Sequence, residues 1–228
     1  MPPSALIFGS IGTLAETSEL QRRAYNRAFA EADLDWVWDR ASYRRLLRRP
    51  GGKARLEDYA RDAGDQVDAR ALHDAKMRHF AELVAARGLR PRPGVADMIR
   101  AARRRGVPVA LCSTTARAQI DTVIRALEPL ILADDFVWIG DVTCAARPKP
   151  APDIYAMALG RLDLEPGQAV AIEDMPETAD AARAAGLRVI GFPGDAAEGR
   201  DFPPGLLTVD RMQPRLLDME TSAPLAAE

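Results

Sequence analysis

ALIFGSIGTLAETSEL, residues 5–20, decides the fold. An apolar run reaches Gly9, a short turn follows, and helical spacing sets in from Ser18. A compact apolar run that stops at glycine predicts a strand buried in a parallel sheet, here over 4–8. Strand, glycine turn and helix start make a frame that presents a reactive group at the turn. Gly9, Ser10 and Ile11 nevertheless bring no carboxylate, thiol or imidazole to it.

The segments beyond this one fall into two patterns. From Ser18 to about residue 34, Leu20, Ala24, Ala28 and Phe29 recur at helical spacing, with Thr17 or Ser18 placed to cap the helix. Residues 40–87 continue as helix, turn and helix, broken at Pro50-Gly51-Gly52 and at Gly64, with no strand. GLRPRPGV, 88–95, is a connection by its Pro and Gly content. Strands and helices then alternate: helix 95–105, strand 107–113, helix 116–127, strand 135–140 and a helix that Pro152 opens and that runs to about 162. Strand 168–174, helix 176–185 and strand 188–192 complete the series, with a further strand at 205–209, a helix near 214–219 and a frayed SAPLAAE end. Alternation through short loops predicts a doubly wound, Rossmann-like parallel sheet flanked by helices. The expected division is an α/β core of residues 1–15 and 90–228, with an all-helical insertion of 16–89.

Composition narrows the function classes. The chain has 228 residues, 47% of them hydrophobic, enough for one large core or a core with an insertion. A net charge of −2 gives no footprint for nucleic acid or an anionic membrane. The arginine runs at 44–49 and 103–105 suit solvated helix faces. Two cysteines without paired spacing, Cys112 and Cys144, argue against a disulfide scaffold or a zinc site and fit a reducing cytoplasm. The first residues lack the basic and long apolar regions of a signal peptide, and no segment approaches the ~20 apolar residues of a membrane span.

In a sheet of this kind ligands bind outside the carboxyl ends of the strands. Those ends carry Gly9 to Thr13, then Ser113-Thr114-Thr115 before a helix, then Lys149, then the adjacent carboxylates Glu173 and Asp174. Singly each has a structural reading: a helix cap, a surface lysine, a capping pair. Together, a cationic amine, hydroxyls and amides at a helix start, and two hard oxygen ligands suit a phosphate beside a divalent cation.

IFGSIGTLAET, LCSTT, KPAPDIY and VAIEDMPETADAARAAG stand in an order that resembles the haloacid dehalogenase superfamily of phosphotransferases. The likeness is to the branch with a helical cap after the first strand, and there to the beta-phosphoglucomutase and CbbY-like sugar-phosphate phosphatases. It implies that Ser113 and Thr114 bind the transferring phosphate, that Lys149 holds phosphate and carboxylate together, and that Glu173 and Asp174 belong to a magnesium site. It also implies that PGGKAR, with Lys53 and Arg55, reads a remote phosphate of the substrate.

The family's first loop runs Asp-x-Asp-Gly-Thr, its first Asp attacking phosphorus and binding magnesium, its second serving as acid and base. Gly9 and Ile11 stand at those positions, and neither can do that chemistry. Ser10 is expected to point away from the strand end, and Glu16 to lie too far off at the cap hinge, so neither replaces the nucleophile. The leading expectation is a pseudophosphatase that binds a small phosphorylated metabolite, with magnesium binding weak or absent. The alternatives are an active sugar-phosphate phosphatase or phosphomutase using an unconventional route, and an interaction scaffold with a protein partner.

Overall fold

The structure is a computed structural model that describes residues 2–49 and 51–218. Its elements are β1 (Ala5–Phe8), α1 (Ile11–Leu14), α2 (Ser18–Glu31), α3 (Arg40–Leu46), α4 (Gly52–Ala63), α5 (Ala69–Arg87), α6 (Val95–Arg104), β2 (Val109–Cys112), α7 (Arg117–Leu127), β3 (Trp138–Gly140), α8 (Asp153–Leu162), β4 (Ala169–Glu173), α9 (Pro176–Ala184), β5 (Arg188–Gly191) and β6 (Leu207–Thr208). The chain forms two compact units, one of residues up to 16 with those from 90 onward, the other Thr17–Leu89. Glu16 groups with the first. Among the described residues no helix is long and apolar enough to cross a membrane.

The first unit holds one six-stranded parallel sheet in the order β3-β2-β1-β4-β5-β6. Every residue of β1, β2 and β4 is buried, as strands covered on both faces must be. Leu6 lies opposite Val109 on one side and Val170 on the other. The strand order reverses between β1 and β4, so the crevice of this doubly wound sheet opens where those two strands end. Alternation along β1 and β4 puts Ala5, Ile7, Ala169 and Ala171 on one face, packed with Ile154 and Tyr155 of α8 and Ala179 and Ala182 of α9. Gly9 and Glu173 continue that face at the strand ends.

Several boundaries differ from the sequence-based expectation, for local reasons. A single helical turn, α1, forms directly after Ser10, whose hydroxyl oxygen accepts from the Thr13 amide. The strand expected at 135–140 shortens to β3, because the Asp135 carboxylate accepts from the Leu132 amide and pairs with Arg103, turning Ala133–Asp135 into a 3₁₀ turn. Pro152 caps α8 from outside rather than entering its first turn. Thr17 is the N-cap residue of α2, but its hydroxyl accepts from the Gln21 side chain instead of a backbone amide. The expected 205–209 strand is only β6, and Pro214–Asp218 is a 3₁₀ segment. SAPLAAE, 222–228, lies outside the described residues.

The helical unit has its own core, dominated by aromatic rings. Tyr25, Phe29, Trp36, Trp38 and Tyr43 cluster with Leu56 and Leu72. Trp38 has ring centroids 4.7 Å from Tyr25 and 4.8 Å from Phe29. Its backbone is pinned in both directions by Asn26, which accepts from the Trp38 amide and donates to its carbonyl. Lys76, 2% exposed, lies over the rings of Tyr25 and Phe80 and donates to Gln21 Oε1 at 3.1 Å.

Burial, reinforced by the positive charge of Arg55, pushes the Lys76 ammonium down to about 7. Between that value and the free-lysine value of roughly 10.4 the unfolded chain holds more protons than the folded one. Stability contributed by this site therefore rises with pH across that window, and the cost of burying the charge is present in full below about 7. Lys76→Met is expected to raise the melting temperature by several degrees at pH 6. The gain should shrink by pH 9, and a thermal melt series of both proteins across that range measures it.

Candidate functional site

At the end of β1, the Gly9 carbonyl accepts from Lys149 Nζ at 2.5 Å. The same ammonium donates to Tyr155 Oη at 2.7 Å and to Glu173 Oε1 at 2.7 Å. A lysine has three N–H donors, so these partners satisfy all of them. Lys149 is 2% exposed and Glu173 0%. The Tyr155 hydroxyl donates to Glu173 Oε1, and Thr178 Oγ1 donates to Oε2 at 2.8 Å. The carboxylate at the centre of the crevice is thus neutralised and fully bonded. Burial and the charge of Glu173 push the Tyr155 phenol well above its ordinary range, which keeps it a proton donor.

The missing side chain at position 9 explains why these groups fit. A Cβ built on Gly9 would overlap the carboxyl carbon of Glu173 and the hydroxyl of Tyr155. Glu173 and Tyr155 occupy the space that a larger residue at 9 would need. Gly12 makes a similar close approach, since a Cβ there would overlap the Asp174 carboxylate.

Asp174 Oδ1 accepts from Ser10 Oγ at 2.8 Å, joining the turns after β1 and β4. The expectation that Ser10 points away is corrected here. The one-turn helix α1 makes Ser10 its cap and swings the hydroxyl onto Asp174, with Thr13 Oγ1 donating to the Ser10 carbonyl at 2.6 Å. Desolvation and then the neighbouring charge of Glu173 raise the Asp174 carboxyl above its usual range, opposed by the Ser10 bond.

The remaining sequence-derived residues divide by location. Ser113 is buried at the end of β2, its amide donating to Gly140 O and its Oγ accepting from the Thr115 amide at 3.1 Å. Thr114 follows it, half-buried. In the helical unit Arg55 is buried, with its guanidinium donating to the carbonyls of Leu46 and Arg49. Lys53 is exposed and pairs with Glu57 at 3.4 Å.

The carboxylates that a divalent cation would use are already engaged by donors of the protein. Magnesium is commonly held by one or two carboxylates together with water and substrate phosphate, and Glu173 and Asp174 are the adjacent carboxylates at the end of β4. Both oxygens of Glu173 accept from Lys149, Tyr155 or Thr178, and one oxygen of Asp174 accepts from Ser10. The Lys149 ammonium bonds Glu173 Oε1 directly.

Sequence reasoning missed two groups. Tyr155 lies inside KPAPDIY, and its place shortly after Lys149, at the start of α8, is the available signal. Arg92 lies in a stretch that the sequence presents only as a connection. Its guanidinium lies 3.5 Å over the Phe192 ring, donates to the carbonyls of Gly12, Phe192 and Pro193, and pairs with Glu16 at 3.1 Å. Burial of the Glu16 carboxyl raises it despite Arg92.

Comparison with known proteins adds four findings. The haloacid dehalogenase-like hydrolase family matches residues 4–186. Protein CbbY of Rhodobacter capsulatus is 41% identical over 205 residues, covering 89% of this chain and 90% of that protein. Among solved structures, CbbY from Rhodobacter sphaeroides in complex with phosphate has a TM-score of 0.87 and 36% identity, covering 95% of this chain and 100% of that one. A mutant of the same protein in complex with xylulose-(1,5)bisphosphate has a TM-score of 0.85 and 38% identity, over 92% and 94% of the two chains.

The buried pair is expected to be a stability determinant as well. Lys149→Met would leave Glu173 charged and unpaired, a loss of about 3–5 kcal/mol for a broken buried pair. Urea denaturation followed by circular dichroism measures it.

Proposed function

The chain belongs to the haloacid dehalogenase-like hydrolase family, and from that premise we propose a phosphate-binding protein whose phosphoryl-transfer chemistry is disabled. Its ligand is a phosphorylated sugar or similar small phosphate compound, the class present in the similar structures with phosphate and with xylulose-(1,5)bisphosphate. Ser113, Thr114 and Lys149 receive the phosphate at the carboxyl edge of the sheet. The helical unit acts as the cap, and Lys53 and Arg55 stand in its substrate-reading segment.

One observation carries the loss of chemistry. The position of the family nucleophile is Gly9, and the volume its side chain would fill is taken by Glu173 and Tyr155. Glycine forms no acyl phosphate, and Ile11, at the acid and base position, neither gives nor takes a proton. In a well-characterised serine protease, loss of the nucleophile costs on the order of 10⁶ in rate, which here would leave turnover near background. The donor set argues for magnesium binding that is weak or absent, so no step of this reading passes through a metal.

A second reading, turnover by an unconventional route, is favoured by the joint presence of Ser113, Lys149, Glu173 and Asp174 in a chain 41% identical to a CbbY protein. One experiment separates the two. Phosphate release from sugar mono- and bisphosphates, with magnesium, is compared between the unmodified protein and Gly9→Asp/Ile11→Asp. The side chain introduced at position 9 would have to displace both the Glu173 carboxyl and the Tyr155 hydroxyl, so the double variant is first checked for folding by thermal melting. Release in the restored protein only, at least about 10³-fold over the unmodified one, is the expected outcome. Comparable release by the unmodified protein would replace the first reading with the second.

A further inference from the structure

We propose that Glu173 is a built-in competitor of the bound phosphate, holding the ammonium that the ligand must take and giving it up when the ligand arrives. The inference rests on the phosphate-binding reading above and deepens it by naming what regulates that site.

The geometry supports this in three ways. First, every donor of Lys149 is already engaged, by the Gly9 carbonyl, Tyr155 Oη and Glu173 Oε1. An incoming oxyanion has no donor on this side chain until one of those acceptors leaves. The Gly9 carbonyl is fixed by the strand end, whose amide donates to Ile172 O at 2.9 Å. Tyr155 is held in the α8 face of the core. Glu173 is the charged acceptor and the one with a second anchor, Thr178 Oγ1, towards the start of α9.

Second, Glu173 reaches Lys149 only because position 9 has no side chain. Any Cβ there would overlap its carboxyl group. The glycine that removes a carboxylate from the turn thereby admits another from β4. The crevice keeps one negative charge beside its lysine, supplied from a different strand.

Third, a carboxylate and a phosphate compete for the same kind of charge-assisted hydrogen bond, so the internal one reduces the apparent affinity of the external one. Removing the charge of Glu173 should therefore strengthen phosphate binding. A metal-ligand role for the same residue predicts weaker binding on its removal, and only when magnesium is supplied. The two roles give opposite signs.

The test is a titration of inorganic phosphate, by calorimetry and by ³¹P NMR, in EDTA and again with magnesium. It uses the full-length protein, Glu173→Gln and Tyr155→Phe, each first checked for folding by thermal melting. Glu173→Gln keeps the shape of the side chain and removes its charge. It is expected to bind phosphate about tenfold more tightly, the scale of one charge-assisted bond, with no effect of magnesium. Tyr155→Phe removes the hydroxyl that bonds both Lys149 and Glu173, and is expected to tighten binding by a smaller factor.

If Glu173→Gln does not fold, the sign of the Tyr155→Phe change decides. Unmodified protein that binds phosphate, with affinity unchanged or lowered in the folded variants, overturns the competition and leaves the phosphate-binding reading standing. Tightening of the unmodified protein by magnesium overturns it too, since Glu173 would then face a cation. Absence of phosphate binding in all folded proteins overturns the phosphate-binding reading and this inference with it.

Discussion

The contact between Lys149 and Glu173 organises the crevice. It joins the loop before α8 to the end of β4, and through the Gly9 carbonyl it also joins the end of β1. A buried ion pair of this kind is a weak source of stability, because desolvating both charges offsets much of their attraction. Its effect is local: while both groups are enclosed, each holds the other in place. Ser10, Asp174, Tyr155 and Thr178 complete the arrangement by satisfying the remaining donors and acceptors around it.

That constraint clarifies what the sequence could and could not disclose. The apolar runs of β1, β2 and β4 are legible because a strand buried on both faces needs unbroken hydrophobic residues, and each run ends at the crevice. The meeting of Lys149 with Glu173 at that edge is legible for a related reason, since loops at the strand ends of a doubly wound sheet converge. The direct bond between them is not legible. Whether Lys149 faces a ligand or Glu173 depends on the space beside Gly9, and that space is shaped by Tyr155 from another element. Ser10 misleads because strand alternation, extended one residue too far, runs into what is already the cap of α1. Arg92 sits in a Pro-rich connection with no periodic pattern, and only the folded carbonyls of residues 12, 192 and 193 reveal its purpose.

The helical unit presents a different balance. The arginine run at 44–49 reads from sequence as a solvated face, and Lys53 and Arg55 as contacts to a remote phosphate; Lys53 is exposed and pairs with Glu57. Arg55 is buried and donates to the carbonyls of Leu46 and Arg49, and Lys76 is enclosed by aromatic rings. Long basic side chains with apolar stems are able to serve as core material, and composition alone does not distinguish that use from a solvated one.

The position of β1 in the sheet has a consequence for how the chain comes together. It is the first strand in the sequence, yet it lies between β2 and β4, whose paired residues begin at Val109 and Ala169. Ala5–Phe8 therefore has no strand to pair with until long after it has left the ribosome, whereas α2 to α5 can close their contacts within their own stretch of chain. Local contacts form faster than those that must wait for a long loop to close. An apolar segment waits unpaired through the whole of that interval, and Pro2 and Pro3 just before it, unable to donate to a strand partner, limit the pairing it can offer a neighbouring molecule.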